Sequence, residues 1–214
     1  MAEGEPWPVD SAMLEFVRDF IESHDPTATK LERRFPFRRL YDHCCRCHAW
    51  ARRINAVEGG DPEITQISAL FHDVGKCVDN SLQGHADAGA DVCQRYLGSI
   101  GFDSEKTRRI VSIVRWHTEH ARGKERSLEA RIESDADLLD EVGAMTVLWD
   151  CMAVGAQNDQ SYELARTRIG KAHDDLSRRP RTDFHTETAW QFYQQRVAFL
   201  GTFLQNLDFE LGLE

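Results

Sequence analysis

The stretch Ala69-Leu70-Phe71-His72-Asp73-Val74-Gly75-Lys76 decides how the rest of the chain is read. It closes an apolar run in which Ile64, Ile67, Leu70 and Phe71 recur at helical spacing. Asp61-Pro62 opens that run with a capping carboxylate and a proline suited to a first helical turn. Neighbouring side chains on a helix diverge by about 100°, so His72 and Asp73 can serve one ion only where the helix frays. Gly75 is expected to give the backbone that freedom. Imidazole with carboxylate suits Mn, Fe, Co, Ni or Zn better than Ca. A lone His-Asp pair says little, so its weight rests on what the rest of the chain supplies.

On both sides of that run the periodicity is helical. Met13, Phe16, Val17, Phe20 and Ile21 mark an amphipathic helix over 11–24, closed by Asp25-Pro26. Leu40, Cys44, Cys47, Ala51 and Ile54 mark a second over 38–57, ended by Gly59-Gly60. Ala86, Ala90, Cys93 and Leu97 define one over 84–98, and Asp103 caps another that runs to His117. Leu128, Ile132, Leu138, Leu139 and Val142 describe a further helix, followed by an apolar segment at 145–154. A weaker pattern covers 161–177, and a long aromatic one covers 186–207. No strand pair, repeat or low-complexity segment stands out, so the fold class is all-α. Residues 1–37 read as an N-terminal helix and an irregular basic segment. Residues 38–214 read as one helical domain including the C-terminal helices, forming one globular unit with the N-terminal part.

The 214 residues carry 26 Lys and Arg against 36 Asp and Glu, a formal charge of −10. That balance speaks against a nucleic-acid polymer as partner, which needs a basic face, and against attachment to anionic lipid. No run is long and apolar enough for a membrane span. The start, Met1-Ala2-Glu3-Gly4, lacks the basic and apolar regions of a secretory signal, so a cytoplasmic protein is expected. Six cysteines, three of them within 44–47, read as free thiols. The unusual content is nine histidines alongside 36 acids, and function is sought there.

The ligand-type residues in chain order are His43, His48, His72, Asp73, His85, His117, His120, Asp135, Asp137 and Asp140. Asp137 stands next to Leu138 and Leu139 and so borders a buried face. Asp is a poor residue for a helix interior, so the run asks for a reason. Metal binding is one, a capping role for Asp135 another, and a solvated acidic edge with Glu141 a third. His43-Cys44-Cys45-Arg46-Cys47-His48 holds two i,i+4 pairs, His43/Cys47 and Cys44/His48, a spacing that suits zinc. Structural zinc needs two separate ligand pairs, and no partner CxxC or HxxxH exists elsewhere. Buried small thiols are the simpler reading of these cysteines.

His43, His72-Asp73 and Asp137, in that order on helices, resemble the H…HD…D signature of the HD superfamily of metal-dependent phosphohydrolases. Arg46 stands where the family's HxxR pattern has its arginine, and Ala69 to Lys76 resembles the family's ALLHDIGK segment. Asp135-Ala-Asp137-Leu-Leu-Asp140-Glu-Val-Gly143-Ala144 resembles the DADRLDAIGA segment of small stand-alone bacterial members. Thr188, Ala189, Arg196 and Phe199 to Glu210 resemble their last helix, so the likeness spans about 40–210. It implies an HD-domain helical bundle with the metal site between core helices. His85 and His117 fall between the HD pair and Asp137, the order of two-metal members. By that resemblance His43, His72, Asp73 and Asp137 hold one divalent transition metal, and Asp73, His85 and His117 complete a second. The alternative is that His85 caps its helix and His117 merely ends another. His48 and His120 read as outer or surface residues.

The resemblance implies hydrolysis of a phosphoester or phosphoanhydride by a metal-activated water. No nucleophile elbow or activated cysteine offers a covalent route. A phosphorylated substrate needs local cations in so acidic a chain. Arg46 and Lys76 are the candidates for substrate binding, and Asp73 with Lys76 for catalysis. Lys76 could equally pair with an acid, and Arg122 and Lys124 read more simply as a solvated turn. The substrate implied is small and phosphorylated, at family level a nucleotide. Di-iron HD oxygenases share the ligand order, and a non-catalytic ligand sensor is a further alternative. The HDVGK segment and the tail favour the hydrolase. Neither oligomeric state nor the choice of metal is written in these motifs.

Overall fold

The computed structural model describes residues 9–24, 35–118, 126–155 and 160–213. Every regular element among them is helical, and none is long and apolar enough to cross a membrane. The chain divides into two compact units, 1–137 and 138–214. His120, Arg122 and Lys124 lie outside the described residues.

The first unit is built around α3 (Pro62–Phe71), in which every residue from Ile64 to Phe71 is buried. Such a helix can only lie at a centre, because it has no face to offer water. Asp61 caps it as its sequence predicts, accepting from the backbone N–H groups of Glu63 and Ile64 at 3.0 and 3.2 Å. Helices α2 (Leu40–Glu58) and α5 (Ser104–Trp116) pack on α3. Between α3 and α5 the chain makes a 3-10 turn, Val74–Cys77, and α4 (Leu82–Ser99), which pack on each other. Helix α1 (Ser11–Glu22) belongs to the same core through Met13, Val17 and Ile21. Its Phe16 stacks on Tyr96 of α4, with ring centroids 4.2 Å apart, and leans on Phe71 of α3. Helix α6 (Leu128–Asp140) carries Ile132, Ala136 and Asp137.

Charged groups clamp the end of α3. Lys106 of α5 reaches the Asp61 carboxylate at 3.0 Å and also pairs with Glu63. Glu129 of α6 accepts from the Asp61 N–H and pairs with Arg109 of α5 at 3.1 Å.

Gly75 has a different reason from the one its sequence suggests. It is not among the glycines of positive φ. A Cβ there would lie 2.0 Å from the His85 carbonyl oxygen and 2.4 Å from the Gly89 nitrogen. What the position demands is space for the backbone of α4, not conformational freedom.

The second unit holds α7 (Ala144–Val154), α8 (Ser161–Ser177), a 3-10 turn Arg181–Asp183 and α9 (Glu187–Leu211). Helix α8 packs on both α7 and α9. Arg166 and Asp208 join α8 to α9 by a two-pronged ion pair, both N–O distances being 2.7 Å.

Candidate metal centre

Five elements of the first unit each bring ligand-type side chains to one place. Helix α2 supplies His43 from its first turns, and α4 supplies His85 from its own. His117 is the C-cap of α5, and Asp137 stands near the end of α6. The adjacent pair His72-Asp73 is resolved by the backbone. His72 keeps helical angles as the C-cap of α3, whereas Asp73 turns off at φ −104° and ψ 0°. That turn removes the helical divergence between neighbours and lets both side chains face inward.

His43 Nε2 lies 3.1 Å from His72 Nε2, 3.2 Å from Asp73 Oδ2 and 3.5 Å from Asp137 Oδ1. His72 Nε2 lies 3.5 Å from Asp73 Oδ2 and 3.6 Å from Asp137 Oδ1. A second group forms on the other carboxylate oxygen. His85 Nε2 and His117 Nε2 are 3.2 Å apart, and each is 3.4 Å from Asp73 Oδ1. Asp73, with only 3% of its side chain exposed, therefore faces one pair of imidazoles with each oxygen.

Three of these rings are oriented by their own helices. Nδ1 of His72 donates to the Ala69 carbonyl at 2.9 Å, that of His85 to Ser81 at 2.7 Å and that of His117 to Val114 at 2.7 Å. In the neutral ring this leaves Nε2 as a lone pair aimed at the centre. The second group is then three acceptors converging at hydrogen-bonding distance with no donor among them. A cation satisfies such a set, so these residues fit a divalent metal. Two ligands bound at ordinary transition-metal distances stand about 3.0–3.5 Å apart, the spacing seen in both groups.

The electrostatics point the same way. Burial opposes the charge on His72, but the carboxylates of Asp73 and Asp137 outweigh it and raise its proton affinity. Burial likewise opposes the charges on Asp73 and Asp137, yet the imidazoles hold both carboxyls below the usual carboxylate range. The arrangement draws positive charge into a buried place.

Lys76 places its ammonium on Asp73 Oδ2 and is one-third exposed. Arg46, on α2, is half-buried and favours the charged form of the neighbouring Cys45. His48 is not in either group and bonds to Gln66 instead, at 3.2 Å. Asp135 and Asp140 are buried within α6 and so do not form a solvated edge, and Asp135 stands inside that helix and not at its start.

Of two further residues near the centre, the sequence reading sets Cys47 aside as a buried thiol and passes over Glu133. Cys47, one turn after His43 and buried, belongs to a four-donor group with His43, His72 and Asp137. The His43/Cys47 spacing was visible, but the second ligand pair comes from α3 and α6 and not from another paired motif. Glu133, one turn before Asp137, is buried, and its Oε2 has no hydrogen-bond partner. An acid among Ile132, Ser134 and Ala136 was the available signal.

A helical unit that gathers imidazoles and carboxylates in this way defines the class: an all-α protein able to hold a metal. Residues 40–141 match the model of the HD domain family. That is a family of hydrolases whose domains bind divalent metals. The chain is similar to a predicted HD superfamily hydrolase from an uncultured Thermotogales bacterium. The two share 26% identity and a TM-score of 0.62, over 92% of this chain and 90% of that one. It is 25% identical over 172 residues to Bacillus subtilis YpgQ, covering 78% of this chain and 82% of the other. A crystal structure of YpgQ in complex with ADP superposes with a TM-score of 0.53 at 19% identity, over 92% and 97% of the two chains. Ribonuclease Y of Campylobacter hominis is 27% identical over 120 residues, 53% of this chain. The match spans only 21% of that enzyme's length.

Proposed function

We propose that the protein is a metal-dependent phosphohydrolase of small nucleotides. The observation that carries this reading is the Asp73 carboxylate, shared between two imidazole pairs whose Nε2 atoms all converge on it. His43, His72, Asp73 and Asp137 hold one divalent transition metal, and Asp73, His85 and His117 hold a second. When bound, such ions acidify a water and polarise a phosphoryl oxygen. His72, His85 and His117 keep their ring orientation through their backbone hydrogen bonds, which fixes the donor positions before any ligand arrives. Lys76, one-third exposed beside Asp73, binds a phosphoryl oxygen of the substrate, and Arg46 supplies a further cation on α2. A nucleotide as substrate is supported by the ADP bound to YpgQ. The ribonuclease likeness covers too little of those longer chains to carry an RNA substrate here, and a charge of −10 opposes one.

The test is phosphate release from a panel of nucleoside mono-, di- and triphosphates and dinucleotides, with Mn, Co, Ni, Zn and Fe supplied in turn. Release by the wild type, lost to background in Asp73→Ala, is the expected result. Metal analysis of the same samples is expected to show two ions per chain, with one lost in His85→Ala. Oxygen-dependent substrate loss with bound iron would replace the hydrolase reading by an oxygenase. Silence with every metal would leave a ligand sensor.

A further inference from the structure

We propose that Glu133 is a positioning residue shared by the two donor groups. Its buried carboxylate stands behind the rings of His72 and His117 and strengthens the hold of both groups on divalent cations. This rests on the reading of those groups as metal sites. Glu133 precedes Asp137 by one turn of α6, so the two carboxylates leave the same side of that helix. It is 2% exposed, and its Oε2 is buried without a hydrogen-bond partner. The ionisable groups it faces are His72, His117, Asp137 and Arg126. His72 belongs to the first donor group and His117 to the second, and their rings meet edge to face with centroids 5.3 Å apart. Glu133 therefore stands against the seam between the groups, near one imidazole of each.

Its part is not that of a ligand, since it lies outside both sets of converging donor atoms. Nor does it orient either ring by a hydrogen bond, because the Nδ1 protons go to the Ala69 and Val114 carbonyls. What it offers is charge at short range in a buried place. At an effective dielectric of about 20, a unit charge about 10 Å from a divalent ion changes its binding by roughly tenfold or more. A buried carboxylate oxygen without a partner is costly, and cations held by the neighbouring rings offset that cost.

The other buried glutamate of this unit is differently placed. Glu129 is tied to Arg109 and to the Asp61 N–H. Among the described residues Glu133 alone has a buried carboxylate oxygen left unbonded.

Glu133→Gln removes the charge and keeps the shape. Titration of metal-stripped protein with Zn against a chromogenic chelator measures both ions. The wild type is expected to bind two, and Glu133→Gln to bind each of them on the order of tenfold more weakly. The thermal midpoint of the metal-free variant is expected to equal or exceed that of the metal-free wild type, which separates lost charge from a damaged fold. Glu133→Met is expected to show the same loss of affinity. Glu133→Asp, which keeps the charge, is expected to stay nearer the wild type. Because the group is buried, the gap between wild type and Glu133→Gln is expected to persist from low to high salt.

Unchanged affinity for both ions in Glu133→Gln overturns the proposal and leaves the metal centre standing. So does a loss confined to one ion, a loss accompanied by a lowered metal-free midpoint, or a Glu133→Asp variant as weak as Glu133→Gln. A wild type that binds a single ion overturns the shared role, and one that binds none overturns the metal-centre reading with it.

Discussion

Glu133 is the residue whose cost is easiest to state. It is 2% exposed, and one carboxylate oxygen has no hydrogen-bond partner. Burial pushes its carboxyl up, against the pull of His72 and His117. An unsatisfied buried polar group costs about 1–3 kcal/mol, and replacing it by an apolar group of similar size often stabilises. Glu133→Met is therefore expected to raise stability by about 1–2 kcal/mol, seen as a higher midpoint in thermal denaturation. A lower midpoint would mean the carboxylate is supporting its neighbours. Glu133 and Cys47 were hard to read from sequence for the same reason. Their importance comes from neighbours on other helices, which local spacing does not encode. His43, His72, Asp73 and Asp137 were legible because they sit in segments whose order resembles a known signature.

At the scale of helices, α3 depends on its first turn. Burial opposes the Asp61 charge, but the Lys106 ammonium and the Ile64 N–H outweigh it and hold its carboxyl below the usual range. Because the folded value lies below the unfolded one, the stabilisation is fully present above the ordinary carboxylate pKa. It is lost as pH falls from there through the folded value. Asp61→Ala is expected to cost about 1 kcal/mol at neutral pH as a lost cap. Urea denaturation of both proteins across pH should show that gap closing on acidification. A gap that stays constant at acid pH would remove the charge from the account. The turn after α3 has a stricter requirement. Gly75→Ala would drive a methyl into the His85 carbonyl, so α4 must shift and carry His85 with it. Its expected outcome is loss of the cooperative thermal transition, or a fold that binds one ion fewer. Helix positions and most caps were legible, since periodicity and Asp, Ser or Pro at helix starts are local properties. The role of Gly75 was not, because it answers a backbone that arrives ten residues later.

For the molecule as a whole, the formal charge of −10 gains meaning from the site. The centre gathers the Asp73 and Asp137 carboxylates in a chain of net negative charge, which concentrates cations and repels a polyanion. On the proposed function, a small phosphorylated ligand would meet that field with local cations and bound metal in its favour. The thiols give the same molecule a way of being timed. Cys44, Cys47 and Cys93 are sealed within the first unit, whereas Cys151 is open in the second. A thiol reagent followed by mass spectrometry is expected to capture Cys151 first. It reaches Cys93 only when α4 lifts, and Cys44 and Cys47 only when α2 does. Burial also holds the Cys44 and Cys93 thiols in their unreactive protonated form until that moment. Equal capture rates at all of these positions would show that the unit opens at once. Unequal rates would make the native cysteines a clock, with hands on two of the helices that carry the centre, α2 and α4, and no probe added to the chain.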